Sequence, residues 1–127
     1  MGNLLPIRLK AVVLDCRDIQ ALSDFYIRML GWEAGYSEGD YWIEIAPPGG
    51  GSDIAFQKNE DYVPPVWPEE PGAQQQMLHM DFRVEKSQLK EAADHAVACG
   101  AKVAEAQFSD QWIVMIDPEG HPFCFVA

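Results

Sequence analysis

Ala11-Val-Val-Leu-Asp-Cys-Arg-Asp18, running into Leu22-Ser-Asp-Phe-Tyr-Ile-Arg-Met-Leu-Gly31, is written a second time as His79-Met-Asp-Phe-Arg-Val-Glu-Lys86 running into Leu89-Lys-Glu-Ala-Ala-Asp-His-Ala-Val-Ala-Cys-Gly100. Each copy is a short alternating stretch followed by an amphipathic stretch that stops at glycine. A strand-helix unit repeated within one small chain predicts a pseudo-twofold molecule, with any functional cleft inside or between the duplicated sheets.

The rest of each half extends the pattern. Val12, Leu14 and Cys16 alternate with Ala11, Val13 and Asp15, a period of two that predicts a strand over residues 9–16. Asp18 is placed to cap a helix whose apolar positions Leu22, Phe25, Tyr26, Met29 and Leu30 recur at three- and four-residue spacing, and Gly31 supplies its stop. Residues 32–36, 41–46 and 52–58 read as three further strands, divided by Ser37-Glu-Gly-Asp40 and Pro47-Pro-Gly-Gly-Gly-Ser52. In the second half a strand is predicted over 77–84. Ser87 then caps a helix with the stripe Leu89, Ala92, Ala93, Ala96 and Val97, and strands follow over 102–106, 112–116 and 122–126. Asp117-Pro-Glu-Gly-His121 turns the chain between the last two.

Residues 59–76 break the pattern, because Tyr62-Val-Pro-Pro-Val-Trp-Pro68 and the Glu-Glu-Pro-Gly after it can hold neither helix nor central strand. This is the linker between a first module over 7–58 and a second over 77–127, together one domain of 127 residues. Its Tyr62 and Trp67 either pin the segment to the sheet or wall a pocket.

The formal charge of −11, from nine Lys and Arg against twenty Asp and Glu, opposes binding to nucleic acid or anionic lipid. It suits solubility, or attraction for a cationic small molecule. No apolar run approaches the ~18 residues of a membrane span, and the opening Met1-Gly-Asn-Leu-Leu-Pro6 lacks the basic and apolar regions of a secretory signal. A cytoplasmic location is expected. The three cysteines, Cys16, Cys99 and Cys124, lack the Cys-x-x-Cys spacing of zinc or redox motifs and fit reduced thiols.

Four stretches in order, Asp15-Cys-Arg-Asp18, Asp24-Phe-Tyr-Ile-Arg-Met-Leu-Gly-Trp32, Leu78-His-Met-Asp-Phe-Arg-Val84 and Asp117-Pro-Glu-Gly-His-Pro-Phe-Cys124, resemble the vicinal oxygen chelate superfamily of glyoxalases, extradiol dioxygenases and bleomycin-resistance proteins. Ile54-Ala-Phe-Gln57, the Pro-rich linker and the His-Pro-Phe-Cys ending are similar to a glyoxalase-like branch of it. The resemblance implies an α+β fold of two pseudo-symmetric βαβββ modules, whose curved mixed sheet encloses a cavity with the helices outside. Val12, Leu14, Cys16, Met80, Phe82 and Val84 should then face the helices, and Ala11, Val13, Asp15, His79, Asp81 and Arg83 the cavity.

The family's metal-binding positions fall on Ala11, Gln57, His79 and Cys124. Only His79 is a strong ligand for a hard ion, so the set implies a site without a full metal complement. If a divalent metal is bound, His79 with Gln57 or Cys124 would hold it. His79 beside Asp81 is the candidate for acid-base work, or a side chain that merely hydrogen-bonds within the sheet. Asp15 and Arg83 form an ion pair, or Arg83 binds a ligand's oxygen while Asp15 or Asp81 meets an amine. Trp42, Trp67, Trp112, Tyr41 and Tyr62 are core packing or a stacking surface. His95 reads as solvated and His121 as ordering its turn. The leading expectation is binding or sequestration of a small organic molecule by Asp15, Gln57, Trp67, His79, Asp81, Arg83 and Cys124, in a homodimer. The alternative is a glyoxalase-type lyase or isomerase with His79 as base and Arg83 steadying an oxyanion, with or without a divalent metal.

Overall fold

The computed structural model describes residues 5–127. Residues 1–4, part of the stretch read above as lacking a secretory signal, lie outside them. The elements are β1 (Ala11–Cys16), α1 (Ile19–Leu30), β2 (Glu33–Glu38), β3 (Trp42–Ala46), β4 (Asp53–Lys58), β5 (Met80–Arg83), α2 (Leu89–Cys99), β6 (Lys102–Val103), β7 (Trp112–Ile116) and β8 (Pro122–Val126), with a 3₁₀ turn at Lys86–Gln88. They form two four-stranded mixed sheets ordered β1-β4-β3-β2 and β5-β8-β7-β6. The α+β duplication expected from the sequence is therefore the architecture. In each sheet the first and last strands of the unit pair in parallel, β1 with β4 and β5 with β8, and the remaining pairs are antiparallel.

The alternation settles which face is covered. Leu14 and Cys16 are buried while Val13 and Asp15 are exposed; Val12, Met80 and Phe82 pack against the same core from their strands, as does Val84 just past the end of β5. α1 supplies that core with Leu22, Phe25, Tyr26 and Met29. Its ends obey the local chemistry: Asp18 accepts the Ala21 amide at the N-cap, and Gly31 closes the helix at φ 71°, a conformation that costs a residue with a Cβ. Phe123 of β8 meets both Phe25 and Tyr26 at ring separations of 6.1 Å. A helix of the first module thus packs on a strand of the second, and one core serves both.

Several local expectations are corrected. β5 begins at Met80, because pairing with β8 starts at Met80 opposite Phe123; Met77 and Leu78, expected within the strand, are exposed. Ser87 lies inside the 3₁₀ turn and does not cap α2, whose start has no side-chain cap. Val97 points outward, leaving Leu89, Ala93 and Ala96 as the buried stripe. β6 stops at Val103 instead of reaching residue 106 because the side chain of Gln107 replaces it as a partner for β7. Its amide donates to the carbonyls of Ala104 and Val114 at 2.9 and 2.8 Å and accepts the Val114 N–H at 2.9 Å. That side chain satisfies the backbone edge a longer strand would have satisfied.

Candidate functional site

The face of the second sheet opposite the Met80 and Phe82 side chains is built by strand periodicity. Asp81 of β5 and Cys124 of β8 stand opposite each other in the parallel ladder, and Val114 and Trp112 of β7 stand opposite Cys124 and Val126. His79 precedes β5 by one residue and shares the face of Asp81. Over this floor comes Trp67 from the linker, meeting Phe108 edge-to-face at 6.1 Å. Gln107 fixes the position of Phe108 by holding the backbone of the preceding loop to β7. The result is a pocket of about 420 Å³ lined by Trp67, His79, Asp81, Phe108, Trp112, Val114, Cys124 and Val126.

Its chemistry is lopsided. Two tryptophans, a phenylalanine and two valines make an apolar chamber, and the polar groups gather on one wall. There His79 Nε2 lies 3.3 Å from Asp81 Oδ1, and one donor atom each from His79, Asp81 and Cys124 falls within a 4.8 Å cluster. Burial, then the charge of Asp81 and a hydrogen bond to it, pushes the Cys124 thiol up to about 11, so the apo thiol is neutral near pH 7 and a poor nucleophile. The indole N–H of Trp67 is buried without a hydrogen-bond partner.

The other residues singled out in the sequence lie elsewhere. Arg83, expected beside His79, lines a separate cleft with Val84, Glu85 and Lys86. Alternation gives the two residues one face, but four residues of strand rise separate them by about 13 Å. Asp15 does not form the expected ion pair with Arg83, since β1 and β5 belong to different sheets. It accepts a hydrogen bond from Asn59 at 3.0 Å and borders another cleft of about 360 Å³ along the linker. Gln57 is exposed on β4 opposite Asp15 and Trp42. Trp42 donates to Glu44 at 2.8 Å, and Tyr41 is exposed. His95 is exposed but contacts the Met29 carbonyl at 3.0 Å, joining the two helices. Phe108 and Gln107 escaped the sequence reading: they lie in a loop with no periodicity, and only an exposed aromatic marks the place.

A second polar cluster holds the modules together. Asp117, its side chain fully buried, accepts from the Tyr26 hydroxyl at 2.8 Å, from the backbone N–H of Glu119 and His121, and from His121 Nδ1 at 2.9 Å. His121 Nε2 reaches the Asp15 carbonyl at 2.8 Å. Tyr62 donates to the Glu119 carbonyl at 2.7 Å, and Glu119 accepts the backbone N–H groups of Arg17 and Asp18. Every polar atom of His121 is committed to structure. Of the two linker aromatics, Tyr62 is packed into this cluster and also borders the cleft along the linker, and Trp67 walls the pocket over the second sheet.

Among known families, the one described as a glyoxalase-like domain matches residues 11–126, and the chain belongs to it. Similar solved structures include a glyoxalase/bleomycin resistance protein/dioxygenase family enzyme from Burkholderia phytofirmans PsJN, at 21% identity and TM-score 0.72 over 94% of this chain and 97% of that one. An integron cassette protein from the mobile metagenome of the Halifax Harbour sewage outfall is 23% identical, with TM-score 0.68 over 94% and 97%. The fosfomycin resistance protein FosX of Listeria monocytogenes is 17% identical, with TM-score 0.70 over 97% and 93%; that protein has also been solved with manganese(II) and sulfate. No curated protein matches the chain. No helix among the described residues is long and apolar enough to cross a membrane.

A hard ion such as manganese prefers carboxylate, carbonyl and imidazole donors. The four positions that the resemblance assigns to ligands are divided here between the sheets, Ala11 and Gln57 on the first and His79 and Cys124 on the second. Ala11 has no donor and Cys124 a soft one, so the residues present do not fit a hard-metal centre.

Proposed function

We propose that this glyoxalase-like domain binds and sequesters a small organic molecule, a planar and cationic one, in the pocket over the second sheet, without a hard-metal centre. The observation that carries this reading is the pocket itself: an aromatic chamber of about 420 Å³ whose polar wall includes a carboxylate, Asp81. Apolar walls with a few convergent polar groups are the usual form of a small-molecule site, and aromatic faces attract organic cations. An acceptor on the guest would also satisfy the buried indole N–H of Trp67. The net charge of −11 raises the local concentration of cations. The free thiols of Cys16, Cys99 and Cys124 suit a cytoplasmic setting. The exposed Val13, Tyr36 and Tyr41 on the first sheet suit a homodimer.

The test is titration with acridine orange, a planar cationic aromatic, followed by tryptophan fluorescence. Saturable quenching that weakens in Trp67→Ala and Asp81→Asn supports the reading. Quenching unchanged by both substitutions removes it. The His79–Asp81 contact also supports a lyase or isomerase reading, in which His79 takes a proton from a bound carbonyl compound and Asp81 orients the ring. Arg83 lines a separate cleft, so this reading assigns it no part.

A further inference from the structure

The cleft of about 360 Å³ along the linker takes no part in the binding proposal. We infer that it is a docking slot for an extended peptide segment of another protein, which adds as an antiparallel strand to the free edge of β1 and carries a Lys or Arg two residues before an apolar one. β1 pairs with β4 alone, so its other side is an open sheet edge. The Lys10 and Cys16 carbonyls accept the N–H groups of Asp53 and Asn59 at 2.8 Å. Along a strand the backbone groups turn to alternate sides, so the even-numbered residues of β1 address β4, and Ala11, Val13 and Asp15 turn theirs outward. The Asp15 carbonyl follows this parity, accepting from His121 Nε2 at 2.8 Å outside the sheet. The N–H and C=O of Val13 have no partner on that side among the described residues. Leu14 borders the cleft although its side chain is buried in the core, so the β1 backbone itself forms the wall.

The rest of the slot suits an extended guest. A residue placed opposite Val13 in antiparallel register exchanges both main-chain bonds with it. On the facing wall Met77 and Leu78 are exposed and form no backbone hydrogen bond among the described residues. Gln76 beside them keeps its side-chain oxygen buried without a partner, an acceptor that a peptide N–H would satisfy. The linker forms the roof with Tyr62 and Gln74, and it is closed into a loop where the Val66 N–H donates to the Gln74 carbonyl at 2.9 Å. Charge then sets the partner. Asp15 and Asp61 are the carboxylates of the lining, which contains no Lys or Arg, and the His121 ring is already engaged by Asp117 and the Asp15 carbonyl. Val13 and Asp15 share a face of β1. An apolar guest residue opposite Val13 therefore sets the residue two earlier opposite Asp15, where a cation is favoured. Val13 offers its backbone edge here, and its side chain to the homodimer face.

The test is fluorescence anisotropy of the peptide fluorescein-Gly-Thr-Lys-Thr-Val-Thr-amide titrated with the full chain, which should saturate. Methylating the valine nitrogen of the probe should weaken binding at least about tenfold, because a main-chain hydrogen bond is lost and the methyl group blocks the edge. Exchanging its lysine for glutamate should weaken binding at least about tenfold, as like charges then meet. Asp15→Asn should weaken it about twofold to fivefold, the range of an exposed ion pair, and Asp81→Asn should leave it unchanged. These probe changes leave the protein untouched, so a folding defect cannot mimic them. Absence of saturation, equal binding of the methylated or glutamate probe, or full affinity in Asp15→Asn would overturn the inference. So would loss of binding in Asp81→Asn, which would move the peptide to the pocket over the second sheet. Light scattering that falls from two chains to one on adding peptide would also overturn it, by giving the slot to a second copy. Acridine orange binding is read separately, so either proposal can fail alone.

Discussion

His121 Nδ1 faces the Asp117 carboxylate, and its Nε2 faces the Asp15 carbonyl with the Tyr62 hydroxyl 3.3 Å away. The protonated ring can donate to the carboxylate and the carbonyl at once. Burial opposes that charge, but the hydrogen bond and charge of Asp117, the Asp15 carbonyl and the charge of Glu119 outweigh it, and the pKa rises above the ordinary 6.5. Because the native value lies above the unfolded one, this stabilisation is complete below about pH 6.5 and is lost as the pH climbs through the native value. Urea unfolding at about pH 6 and about pH 8.5 should therefore show the wild type weakening at the higher pH, and His121→Gln should remove most of that difference. Tyr26→Phe takes one donor from the buried Asp117 carboxylate and should cost about 1.5–3 kcal/mol, read as a lower urea midpoint at unchanged slope. The sequence placed His79 and Asp81 on one face because side-chain period is local, and Cys124 joined them only through the family resemblance. It could not pair Tyr26 with Asp117, which meet only through the fold, and it misjudged Arg83 because sharing a face says nothing of distance along it.

At the scale of elements, legibility follows how completely a segment carries its own punctuation. α1 has both signals, Asp18 at its start and Gly31 at its end, and its limits were readable. α2 has no side-chain cap, and the serine that resembled one belongs to the turn before it. Asp18→Ala should then cost about 1 kcal/mol in urea unfolding, while Ser87→Ala stays within about 0.5 kcal/mol. β6 was overread because nothing in the local pattern shows that a glutamine side chain can stand in for backbone. Gln107→Ala should leave the β7 edge unpaired, cost about 1–3 kcal/mol, and weaken acridine orange binding by freeing Phe108. Phe108→Ala should weaken binding with little loss of stability, as its side chain is exposed.

For the whole molecule, the decisive contact is Phe123 against Phe25 and Tyr26, where the second module's last strand enters the first module's helix. Phe123→Ala should cost about 3–5 kcal/mol. With a core shared in this way, far-ultraviolet circular dichroism and tryptophan fluorescence should trace one coincident unfolding transition. Light scattering should return the mass of two chains, with Val13, Tyr36 and Tyr41 covered. The duplication was legible across the whole chain because both halves repeat the same period and stops; the junction was not, because it consists of side chains far apart in sequence.

In both sheets the strand that opens the unit lies parallel to the one that closes it. On the ribosome this imposes an order of events. The first strand emerges with no neighbour to zip against and must wait until residue 58 has cleared the exit tunnel, and the second unit repeats the delay between β5 and β8. Synthesis and folding therefore advance in two pulses, and a message cut before the codons of β8 leaves the second pulse without the strand that seals it.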